Sequence, residues 1–170
     1  MRAFLHVLCS LDAADATDPE RIDLIRALEE VKGAAAAAQA RVTVALDDSQ
    51  RRAQRDAEVP ERRVGAGVAA QVALARRESP HRGARHLGLA HALVDEVPQT
   101  MMALTAGETS EWRAALVARE TACLSRDDRR AVDARLCPVT RSTRVSAMIW
   151  PRPRPSPWAS SGSACRVSAA

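Results

Sequence analysis

Aromatic side chains are nearly missing from this 170-residue chain: one Phe (Phe4), three Trp (Trp112, Trp150, Trp158) and no Tyr. A core must therefore be built from Ala, Leu, Val and Ile. That mixture suits close-packed helices better than sheets, whose strands favour aromatic and β-branched residues. Lysine is almost absent too; Lys32 is the only one. The four cysteines, Cys9, Cys123, Cys137 and Cys165, include no Cys-x-x-Cys pair. Neither a zinc cluster nor a small disulfide scaffold is expected, and free thiols in a reducing cytosol fit better. No stretch reaches the ~20 apolar residues needed to cross a bilayer. The apolar run 3–11 carries His6 and is followed by Asp12 and Asp15, a poor match to an export signal. No segment alternates apolar and polar residues over a strand length.

The net charge of +4 is unevenly placed. Five of the 25 basic residues lie in residues 141–170 with no acid, which leaves 20 against 21 acids in residues 1–140. The body is near neutral, so the basic pI is no evidence of nucleic-acid binding.

Helix punctuation, by contrast, is plentiful. Thr17-Asp18-Pro19-Glu20 places a capping side chain, a first-turn Pro and an acid in sequence. Ile22, Ile25, Leu28, Val31, Ala35, Ala38, Val42 and Ala45 then recur every three or four residues. This predicts one long helix over 19–57 with an apolar stripe, weakened at Gly33 and stopped at Pro60. Shorter helices are expected over 68–77, 80–96, from Pro98 to a cap at Gly107, from Ser110 to about Cys123, and from Ser125 to about Leu136, before Pro138. The fold class is all-α, a helical bundle with one long N-terminal helix and several shorter ones. Residues 1–16 form an N-terminal segment and 17–137 the helical domain. From 138 the chain becomes rich in Arg, Pro and Ser, which reads as a disordered tail; a shifted reading frame gives the same abrupt change.

Several segments carry a resemblance. They are Gly67-Val68-Ala69-Ala70-Gln71-Val72-Ala73-Leu74-Ala75-Arg76, Glu78-Ser79-Pro80, Leu87-Gly88-Leu89-Ala90, Ser110-Glu111-Trp112-Arg113 and Ala118-Arg119-Glu120-Thr121-Ala122-Cys123-Leu124-Ser125. Together they resemble the bacterial helical domain of unknown function 222, known in mycobacteria as the thirteen-E-twelve repeat family. It usually precedes an HNH endonuclease domain. The resemblance implies a helical, DNA-associated module, truncated before its nuclease. The nuclease's histidine-bearing metal site has no counterpart: all four His (His6, His81, His86, His91) lie at or before residue 91. No catalytic residue, metal ligand, cofactor or small-molecule ligand is expected, and a cytoplasmic location follows from the same reading.

The sharpest candidate is helix-turn-helix geometry over 68–94. Glu78-Ser79-Pro80 would be the turn, with His81, Arg82, Arg85 and His86 on the outward face of the second helix and Ala84, Leu87, Ala90 and Val94 inward. Arg82, Arg85 and His86 are the candidate DNA contacts. Against it, the turn has no Gly, Glu78 sits where such turns bury an apolar residue, and Arg-rich helix faces are commonly just solvated. The His pairs are five residues apart, the wrong spacing for metal on one helix. Gly65-Ala66-Gly67-Val68-Ala69-Ala70 matches a loose dinucleotide fingerprint, but no strand precedes it, so it reads as a helix-start turn. Glu111, Asp127 and Asp128 read as helix-start acids and Trp112 as a packed residue. The alternative to DNA association is a protein-interaction or dimerisation module in which the long helix offers its apolar stripe to a partner.

Overall fold

The computed structural model describes residues 2–141; the expected tail falls largely in 142–170, outside the described residues. Seven α-helices run in order: α1 Arg2–Cys9, α2 Asp18–Asp56, α3 Val68–Arg76, α4 Pro80–His91, α5 Pro98–Thr105, α6 Glu111–Glu120 and α7 Arg126–Arg141. A 3₁₀ turn, Glu61–Arg63, follows α2, and a π-helical turn, Ala92–Glu96, continues α4. No strand occurs among the described residues.

The caps work as the sequence implies. At α2, the Glu20 carboxylate accepts from both the backbone N–H and the hydroxyl of Thr17, each at 2.7 Å. These bonds hold the Glu20 carboxyl below its ordinary range. Ser79 and Ser110 accept from Arg82 N–H and Arg113 N–H. At α7, Ser125 Oγ accepts from Asp128 N–H and donates to the Asp128 carboxylate, so the short Asp side chain engages the hydroxyl rather than the backbone N–H that a capping box uses. Gly107, at φ 72°, ends α5 with N–H bonds to Leu104 O and, from Glu108, to Ala103 O. One expectation fails: α7 continues through Pro138 to Arg141. Pro138 lies in the last turn, where one missing N–H interrupts little of the ladder.

The core is small-residue packing. Ala36, Ala37 and Ala40 of α2 meet Ala90 of α4, Leu93, Val97, Met101 and Leu104, and Ala114 of α6. A second layer, Val68, Val72 and Ala73 of α3, packs on α4. Two glycines set the closest approaches. A Cβ on Gly33 would lie 2.8 Å from Thr109 O, and one on Gly83 would strike Ala69 O and stand 2.6 Å from Ala73 Cβ. Gly33, a weak point by propensity, is thus a contact between α2 and the 107–109 turn. Trp112 does not pack in the bundle: it is 70% exposed.

The long helix corrects the expected burial. Its buried residues are Gly33, Ala36, Ala37, Ala40 and Asp47. The stripe read from the sequence is not the buried face: Ile22, Ile25 and Val42 are 58%, 64% and 68% exposed, Ala35, Ala38 and Ala45 are also exposed, and Leu28 and Val31 are half-buried. At about 100° per residue, the part of the stripe from Leu28 to Ala45 lies roughly opposite the buried face, whereas Ile22 falls on the same side as Gly33 and Ala40. Periodicity found the more hydrophobic face, while the body packs on the smaller one. Helix α1 buries nothing, and Phe4, Leu5 and Val7 are exposed.

Candidate functional site

Three features stand out. The first is the helix pair α3–α4. Arg77, at φ 57°, supplies the left-handed residue that the turn's missing glycine would have given. Glu78 then points back onto α4. Its carboxylate lies 2.9 Å from His86 Nε2 and 3.9 Å from Arg82 Nη1. Burial would raise the Glu78 carboxyl, but the bond and charge of His86, with Arg82 and Arg76, hold it below its ordinary range. Arg82 and Arg85 are on the surface, whereas the His86 side chain is only 23% exposed and engaged by Glu78. The inward row is Gly83, Leu87, Ala90 and Val94; Ala84, expected inward, is exposed, because Gly83 is the residue that seats α4 on α3.

The second is a polar knot between α2 and α4. Asp47, 2% exposed, accepts from Arg51 Nε at 2.7 Å and pairs with His91 Nε2 at 2.9 Å; His91 Nδ1 faces Asp95 Oδ2 at 3.3 Å. Asp47 Oδ1 has no hydrogen-bond partner. A neutral imidazole can donate from one nitrogen only, so both contacts are hydrogen bonds when the ring is an imidazolium. The His91 end sits where the helix widens into the π turn. Arg51 Nη1 reaches Val64 O, and Gln54 accepts from Gly65 N–H, tying the glycine turn to α2. Gly65 and Gly67 have φ 85° and 90°, and α3 begins directly after them, so the loose fingerprint is a helix-start turn.

Sequence reading missed Asp47 and Arg51. Their signal was an i, i+4 acid–base pair in register with Gly33, Ala36/Ala37, Ala40 and Val44. A hydrophobic scan passes over it because half of that face is polar. Asp133 was missed for the same reason: fully buried, it accepts from Gln99 N–H, Thr100 N–H and Thr100 Oγ1, capping α5 from α7. Arg129 is its counterpart, donating to Thr121 O and Ala118 O and pairing with Glu96. Both are structural ties. Glu111 pairs with Arg76 at 3.3 Å, and Glu120 pairs with Arg119 at 2.7 Å. Among the described residues, no group of three or more His, Cys, Asp or Glu is placed to hold a metal ion, and no helix is long and apolar enough to cross a membrane.

The third feature is the apolar row of α2 on the side away from its buried residues, half-buried at Leu24, Leu28 and Val31 and exposed at Ala35, Ala38, Val42 and Ala45. Beside it lies a shallow apolar depression lined by Val94, Met101, Met102 and Ala106, with Arg41 bonded to Thr105 at its rim. No family model, curated protein or solved structure matches the chain.

Proposed function

We propose that the chain is a non-catalytic helical association module that self-associates through the outer face of α2. The observation that carries this reading is the exposure of Ala35, Ala38, Val42 and Ala45 on the side of the helix opposite its buried residues. Contiguous exposed apolar surface of this kind marks association sites in soluble proteins. The test is sedimentation equilibrium of the full chain up to on the order of 100 μM, where a micromolar dimer would be nearly complete. A concentration-dependent dimer supports the reading. A monomer throughout that range overturns it.

A second reading is DNA contact by α4, in keeping with the family resemblance. Exposed Arg82 and Arg85, one turn apart, favour it. The pairing of His86 and Arg82 with Glu78 weighs against it, because an acid beneath the face opposes phosphate. Salt-dependent binding of duplex DNA that falls in the Arg82→Ala/Arg85→Ala double variant supports this second role; binding unchanged in that variant removes the site from α4.

A further inference from the structure

We infer that the occupant of the α2 outer face is a second copy of this chain running antiparallel, in the register that sets Leu28 against Ala45. This rests on the self-association reading above and adds its direction and pairing. The row Leu24, Leu28, Val31, Ala35, Ala38, Val42 and Ala45 alternates steps of four and three, a strict heptad seam roughly 30 Å long at 1.5 Å per residue. Leu24, Leu28 and Val31 are half-buried; Ala35, Ala38, Val42 and Ala45 are exposed. The buried residues of α2 lie on the opposite side of the helix, and Asp15 and Ala16 lie beside the seam, at its Leu24 end.

Side-chain size sets the direction. The N-terminal half of the seam is bulky and the C-terminal half mostly alanine. A parallel pair would stack Leu24, Leu28 and Val31 on themselves at one end and Ala35 and Ala38 on themselves at the next. Its axes would splay, whereas helix axes packed over small residues come closer together. Antiparallel pairing sets each bulky residue against a smaller or equal one. Leu28 meets Ala45, Val31 meets Val42, and Ala35 meets Ala38 of the second copy, with Leu24 against Ser49. This register covers the whole seam.

The flanking residues agree. Ile25 falls beside Leu46 of the second copy, Lys32 beside Gln39, and Glu20, which also accepts from Thr17 N–H, beside Arg55, which also lies 3.8 Å from Glu61 of its own chain; this is the one oppositely charged pair. Shifting the second copy by one heptad toward the centre would set Glu20 against Asp48 and Lys32 against Lys32. The parallel pair brings no opposite charges together: Lys32 would face Ala27, and Arg41 would face Leu46. Beyond Leu24, Arg52 faces Arg21, whose guanidinium is already paired with Asp18 at 2.7 Å, so the apolar seam closes there.

Disulfide trapping tests the pairing. In full chains with Cys9, Cys123, Cys137 and Cys165 changed to Ser, Leu28→Cys and Ala45→Cys are made singly, then oxidised alone and mixed. The antiparallel register predicts a mixed disulfide dimer from the mixture. It predicts none from either chain alone, where like positions lie roughly 25 Å apart, far beyond disulfide reach. The pair Val31→Cys and Val42→Cys, the first half-buried and the second exposed, repeats the test should Leu28→Cys fold poorly. Self-crosslinking of each single variant would show a parallel pair and overturn the direction while leaving self-association standing. Absence of the mixed dimer from a chain that sediments as a dimer overturns this register. A monomer in sedimentation removes both.

Discussion

Asp47 of α2 and His91 of α4 meet at 2.9 Å, 44 residues apart in the chain, over a carboxylate that is 2% exposed. The contact joins the polar half of the α2 inner face to the start of the π turn. Removing Asp47 would leave Arg51 and His91 facing a buried void. Breaking a buried ion pair costs about 3–5 kcal/mol, and less here because the Arg51 and His91 side chains are each about a third exposed. Asp47→Ala is expected to destabilise by about 2 kcal/mol, measured by urea unfolding. A change below a few tenths of a kcal/mol would show that the knot contributes nothing.

The two glycines of α4 should respond oppositely to alanine. Gly83→Ala forces a Cβ into Ala69 O and Ala73, and overpacking of this kind costs about 1–3 kcal/mol. Gly88 has nothing within 4 Å of an added Cβ. Gly88→Ala should stabilise by about 0.5–1 kcal/mol through helix propensity. Equal effects from the two substitutions would contradict the close α3–α4 approach.

Asp133 holds the start of α5 with three hydrogen bonds. Asp133→Ala strands two backbone donors of α5 and should lower stability by about 2 kcal/mol, the upper end for a lost cap. Faster amide exchange at Gln99 and Thr100 is the local readout, and unchanged exchange there would argue against the cap.

How much of this was legible beforehand divides along the helices. Caps at Thr17, Ser79, Ser110 and Ser125 and the stop at Gly107 are local rules, and α2, α4, α6 and α7 begin where those rules put them. Which face of α2 is buried is a tertiary matter. The body needed small residues for close approach, so the face of Gly33, Ala36, Ala37 and Ala40 won over the face of Leu28, Val31 and Val42. Trp112 was assigned to the core on hydrophobicity alone, yet a core packed from alanine has no space of that size. Of the candidate DNA residues, the sequence could place Arg82 and Arg85 on one helix face. It could not show that Glu78, from the preceding turn, folds back to hold His86.

The same Glu78–His86 contact gives a pH signature. Folding lowers the Glu78 carboxyl, so its ionised form is favoured in the native state. Its contribution is complete above the unfolded carboxylate range and is lost as pH falls through the lowered native value. The Tm difference between the wild type and Glu78→Gln should therefore shrink as pH falls below about 4. Parallel Tm curves from pH 7 to pH 3 would show that the carboxylate gains nothing from His86.

The account's central claim is that the outer face of α2 is an association surface, and one substitution tests it most directly. Val42 is 68% exposed, so Val42→Asp should leave the fold intact while placing charge in the seam opposite Val31 of the second copy. Sedimentation equilibrium of the two full chains, with circular dichroism as a check on helicity, is the measurement. The account predicts a dimer for the wild type and a helical monomer for Val42→Asp at the same concentration. Two chains that sediment alike, both as monomers or both as dimers, would contradict it.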